Sequence, residues 1–98
     1  MSDDETTNYK LPDSIVWPHI AKLSIVDDKP IMLDYWTDSL DKKIVIGVRE
    51  NNEKLLVKNA EEYTSPIQKI FKTGECYIIC TENSIYLVSN TIQTKRIS

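Results

Sequence analysis

Few residues in this chain have the chemistry of an active site, and their spacing narrows what they can do. His19 is the only histidine among 98 residues. General acid–base catalysis commonly uses a histidine oriented by a carboxylate, but the chain has neither a Gly-x-Ser-x-Gly elbow nor a His-Glu-x-x-His pair. Its two glycines, Gly47 and Gly74, are far apart in sequence, so no glycine-rich loop can cradle a phosphate. His19 therefore reads as a surface or partly buried structural residue. On one strand, the Cα atoms of Cys76 and Cys80 would stand roughly 13 Å apart, beyond the ~7 Å that a disulfide tolerates. Reduced cysteines facing a core are expected. A zinc site takes about four ligands, and one histidine with two cysteines falls short. Asp27, Asp28, Asp34, Asp38 and Asp41 lack the spacing of a calcium loop and read as solvated loop residues. Paired carboxylates for glycosidic chemistry would have to be assembled in three dimensions. The expectation is a protein that is not an enzyme, with no cofactor, no metal and no evident small-molecule substrate.

The aromatic residues Trp17, Tyr35 and Trp36 are the candidate partner-binding residues. Neighbours on a strand point to opposite faces, so Tyr35 and Trp36 cannot both enter the same core of an open sheet. One of them is then left exposed, and exposed Trp and Tyr are common interface anchors. The competing reading puts Trp36 in the core and Tyr35 on the flank with its hydroxyl in water. Trp17 precedes Pro18, which favours an extended backbone and would let the indole plug one end of a barrel.

The elements that must position these residues read as strands. Short apolar runs at 20–26, 30–36, 44–48, 55–57, 67–71, 76–80 and 85–88 are rich in Ile, Val, Tyr and Thr and bounded by Asn, Asp, Gly or Ser. Residues 27–29, 50–53, 73–74 and 82–84 suit tight turns, the second most strongly because Asn tolerates positive φ. Cys76, Ile78 and Cys80 fall on one face, with Tyr77, Ile79 and Thr81 on the other. Several runs are apolar on both faces, as in strands covered on two sides or closed into a barrel. No long stretch shows a helical stripe. Residues 59–63 allow a single helical turn, which Pro66 limits, and Ser65-Pro66 reads as a turn. The fold class expected is all-β: six to seven short antiparallel strands in a meander, forming a small barrel or a two-sheet sandwich. Residues 15–98 would form this domain, behind a disordered acidic tail over 1–14.

A faint repeat runs through the strands. Pro30-Ile31 leading to Tyr35-Trp36 parallels Pro66-Ile67 leading to Ile70-Phe71. Glu50-Asn51 parallels Glu82-Asn83, and Leu56-Val57-x-Asn59 parallels Leu87-Val88-x-Asn90. Each unit would be a three-stranded antiparallel meander that resembles a β-propeller blade. A propeller needs roughly four or more blades, so a chain of this length cannot close one, and no family is assigned.

Composition bounds the partners. The net charge of -3 argues against nucleic acid, whose phosphates select basic surfaces. A single-strand binder would need Tyr77 or Tyr86 exposed beside Lys54, Lys58, Lys69 or Lys72. No apolar run approaches the ~20 residues of a membrane span. The acidic N-terminus lacks the basic and then apolar segments of a secretory signal, so an intracellular, cytoplasmic or nuclear location is expected. Residues 91–98 form a candidate edge strand, open either to accepting a partner's strand or to protection by Lys95 and Arg96, which would blunt unwanted pairing. The function expected is a protein–protein interaction or assembly module that binds a protein partner or itself. The alternatives are a structural component of a larger complex or viral particle and a nucleic-acid-binding small β-barrel.

Overall fold

The computed structural model describes residues 11–97. Of the tail expected over 1–14, residues 1–10 lie outside the described residues, as does Ser98. Residues 11–14 lead without regular structure into helix α1, Val16–Asp27. Strand β1 (Ile31–Met32) and the one-turn helix α2 (Trp36–Leu40) follow. Then come β2 (Val45–Val48), β3 (Lys54–Asn59), β4 (Glu62–Tyr63), β5 (Ile67–Thr73), β6 (Cys76–Thr81), β7 (Ile85–Ser89) and β8 (Gln93–Arg96).

The strands form two four-stranded sheets, ordered β1-β7-β6-β5 and β4-β3-β2-β8. Neither closes on itself, so the arrangement is a two-sheet sandwich with helices on one side. Each sheet is a three-stranded antiparallel meander completed by one parallel strand. Strand β1 pairs in parallel with β7, and β8 pairs in parallel with β2. The completing strand comes in each case from the other half of the chain, so the sheets exchange a strand. This corrects the expectation of an all-antiparallel meander of six or seven strands. It also limits the repeat, because only residues 67–89 form the expected three-stranded unit; residues 30–36 contribute β1 to the other sheet and then turn into α2.

Strand β6 explains the layering. Its Cys76, Ile78 and Cys80 enter a first apolar cluster with Ile85 and Leu87 of β7, Val16 and Ile20 of α1, and Trp36. Its Ile79 enters a second cluster with Val88, Ile44, Ile46, Leu56, Ile92 and Tyr35. The first sheet is thus covered by helices on one face and by the second sheet on the other, as its doubly apolar runs require. Each fully buried Ile or Leu contributes roughly 1.5–3 kcal/mol relative to exposure.

Three expected turns are present. Asn52 has φ 68° at the β2–β3 hairpin, where the Arg49 N–H donates to the Glu53 carbonyl at 2.8 Å. Gly74 has φ 60° between β5 and β6. At the β6–β7 turn the buried Thr81 hydroxyl donates to the Ser84 carbonyl at 3.0 Å and accepts from the Ser84 N–H at 3.1 Å.

Residues 20–26, expected as a strand, are helical. Val16, Ile20 and Leu23 recur at i, i+4 and i+7 and put one stripe on the first sheet. Pro18 sits in the first turn, where its missing N–H costs no intrahelical bond, so the residue before it is not held extended. Residues 27–29 do turn the chain, as a helix cap. Asp28 is left-handed at φ 55°, the Lys29 N–H donates to the Ser24 carbonyl at 3.1 Å, and Pro30 follows. Residues 59–63 make a turn and β4 in place of a helical turn, with the Asn59 Oδ1 accepting from the Glu61 and Glu62 N–H groups.

Candidate interaction surface

The structure divides the three aromatic candidates. Tyr35 and Trp36 lie at the start of α2, not on a strand, and both are buried. They do point apart: Trp36 enters the first cluster and Tyr35 the second, where its ring lies 5.5 Å from that of Tyr86. Neither is exposed, because both faces of the first sheet are covered. The Tyr35 hydroxyl is pushed up to about 12, first by burial and then by the negative charge of Glu62, with Tyr86, Asp34 and Asp38 adding in the same direction. Ser39 holds α2 in place; its buried hydroxyl donates to the Trp36 carbonyl at 2.6 Å and accepts from the Ser89 N–H at 2.8 Å. Trp17 alone of the three reaches the surface, 38% exposed on α1.

The other chemistry-bearing residues sit in packing and pairing contacts. His19 Nδ1 lies 3.0 Å from the Thr73 hydroxyl, and its ring meets Phe71 edge-on, which ties α1 to β5. The Cys76 and Cys80 side chains are buried in the first cluster. Burial pushes the Cys80 thiol up; Asp27 adds to this, and Lys29 and Lys69 partly oppose it. Asp38 pairs with Lys58 at 3.0 Å, and that bond raises the Lys58 ammonium above its ordinary value. Among the described residues no three His, Cys, Asp or Glu side chains gather as metal ligands, and no helix is long and apolar enough to cross a membrane.

The sheet edges are guarded. Strands β1 and β4 have two residues each. Strand β5 carries Lys69 and Lys72 and an irregularity between Ile67 and Lys69; β8 carries Lys95 and Arg96. Short edges, bulges and lysines all discourage pairing with a stray strand.

The outer faces are not guarded. On α1, the side turned away from the first sheet is apolar too. Ile25 is 80% exposed, Val26 68% and Ile15 57%, beside Trp17 and Ala21. Trp17, Ala21 and Ile25 recur every fourth residue and form one ridge along the helix. Lys22 is the only Lys, Arg, Asp or Glu between residues 15 and 26. A helix apolar all round is ordinarily enclosed on every side; the described residues enclose this one on one side.

On the opposite side of the molecule, the second sheet turns Leu55 and Val57 away from the inter-sheet cluster. They floor a groove of about 570 Å³ with Arg49, Ala60, Tyr63 and Ile97. Tyr63 and Ile97 are 51% and 40% exposed. Gly47 keeps this face flat, since a Cβ there would lie 2.8 Å from Ile97 and 2.9 Å from Val57. Register places Lys95 on the same face, opposite Gly47.

Sequence reasoning identified Trp17 but missed Ile15, Ile25, Val26, Tyr63 and Ile97. The available signal was the near absence of charge from 15–26, a run too apolar for a helix with only one covered side. No protein-family model, curated protein or solved structure matches the chain.

Proposed function

We propose that the protein is a non-enzymatic interaction module that docks another protein through the outward face of α1. One observation carries this reading: an ordered helix, fixed by its inner stripe, holds Trp17, Ile25 and Val26 in solvent, with Lys22 the one Lys, Arg, Asp or Glu between residues 15 and 26. Contiguous apolar patches of this kind mark protein contact sites, and Trp is the residue most often found at their energetic centre. The face has the rigidity a docking site needs, because Val16 and Ile20 are fully buried beneath it. Tyr77 and Tyr86 pack against the inter-sheet cluster, which weighs against a base-stacking platform and hence against nucleic acid.

The reading is tested by placing a photoreactive side chain at position 25 of the full chain in cells, with exposed position 42 as control. Position 25 is expected to capture a discrete protein adduct, which Trp17→Glu abolishes. No adduct at 25, or the same adducts from both positions, would rule the reading out.

A further inference from the structure

We infer that the partner of the α1 ridge is the groove of a second copy, so that the chain associates head to tail. This rests on the reading of α1 as a docking face and adds the identity of what it docks.

The two surfaces are complementary in shape and chemistry. The ridge is convex and apolar, with Trp17, Ala21 and Ile25 in line. The groove is concave, floored by Leu55 and Val57 and walled by Tyr63 and Ile97. Its volume of about 570 Å³ is on the scale of sites that enclose several apolar groups, roughly 300–1,000 Å³. Both surfaces are partly exposed in the single chain, so each offers the other apolar area now in water.

Charge sets the direction. Helix α1 ends in Asp27 and Asp28, with no basic residue in its last turn. The carboxylates therefore add to the negative end of the helix dipole, where cations are favoured. The groove face has Lys95 at its β8 side, opposite Gly47, together with Arg49, which is already paired with Glu53 at 3.0 Å. Its far rim, at the β3–β4 turn, carries Glu61. A ridge laid with its C-terminal end toward β8 brings the exposed Asp28 to Lys95. The same orientation brings the positive N-terminal end of the helix to Glu61.

Helix-on-helix pairing about a two-fold axis lacks this match. Crossing at the small Ala21 would set the adjacent Lys22 of one copy beside Lys22 of the other. The ridge-and-groove contact has no such conflict. Because ridge and groove occupy opposite outer layers, the contact is heterologous, and each added copy leaves one ridge and one groove free.

Sedimentation velocity of the full chain over a range of concentrations tests this. Wild type is expected to form a concentration-dependent series that passes beyond the dimer. Ile25→Glu removes the ridge and Tyr63→Glu the groove; each alone should remain monomeric, with association weakened on the order of tenfold or more. An equimolar mixture retains one intact ridge and one intact groove, so it should form a one-to-one dimer and nothing larger. Trp17→Glu and Ile97→Glu form a second pair should either first variant lose its native circular dichroism. Wild type that stays monomeric, association that stops at the dimer, or a mixture that stays monomeric would each overturn the inference. The photo-crosslink at position 25 separately decides the interaction reading, since an adduct with a different protein would keep that reading and discard this one.

Discussion

Strand β6 and helix α1 border the same apolar cluster but differ in what lies over their second face. The second face of β6 sends Ile79 into the inter-sheet core. The second face of α1 is as apolar, and none of the described residues covers it. The difference separates two uses of one chemistry. An apolar side chain enclosed on both sides of a layer holds the fold together; one left outside on an ordered element contributes little to folding and is available to a partner.

Substitutions in the two regions should therefore have opposite signatures. The largest effect is expected within the enclosed region. Leu87, fully buried in the first cluster, should cost about 2–5 kcal/mol as Leu87→Ala, read from urea unfolding. That is a large share of the roughly 5–15 kcal/mol of a typical domain. Ser39→Ala should cost about 1–3 kcal/mol, because it removes the acceptor of the buried Ser89 N–H. A loss under half a kcal/mol would show that water replaces the hydroxyl and that α2 is not enclosed as described.

The second cluster also carries a pH signature. The Tyr35 pKa is raised in the fold to about 12 from an ordinary 10. The neutral phenol is therefore favoured by folding, and its contribution is complete below pH 10. Above that, the unfolded chain ionises first, and stability is lost as pH rises through the folded value. Urea midpoints should fall between pH 10 and 12, and Tyr35→Phe should flatten that fall. Tyr86, shifted the same way chiefly by burial, supplies part of what remains. An identical slope in the variant would remove Tyr35 from the account. The smallest effect on stability belongs to Ile25→Glu, within about 0.5 kcal/mol of wild type. A loss of several kcal/mol would mean that the α1 surface serves the fold, and the contrast with β6 would collapse.

Much of the second half of the chain was legible in its sequence. The alternation from Cys76 to Thr81, the Asn-bounded turns and the apolar runs with both faces covered correspond to β5, β6 and β7 and their hairpins. The first half was harder to read for a physical reason. A helix announces itself by contrast between a buried stripe and a polar face, and α1 has little contrast because its outward face carries Trp17, Ile25 and Val26. The residues that hid the helix are the ones proposed to dock. Tyr35 and Trp36 misled in another way. Adjacent aromatics suit a strand, but a one-turn helix at the junction of two clusters also separates them, and long-range contacts such as Ser39–Ser89 and Asp38–Lys58 fix that turn. The groove had no local signal, since it joins Leu55, Tyr63 and Ile97 from three separate segments.

The exchange of β1 and β8 bears on how the molecule comes together. Ile31 meets Ile85, and Val45 meets Gln93, across about 50 residues of chain in each case, so both pairings belong to the slow, non-local class of contacts. The halves on either side of the connection at 64–66 are interlocked, and each lacks a strand that only the other supplies. Cleaved at that connection, the two pieces are expected to reassociate and restore the near-ultraviolet circular dichroism of the intact chain. Either piece alone should stay without fixed tertiary packing. That outcome would make the crossed pair of sheets, and neither sheet alone, the unit of folding.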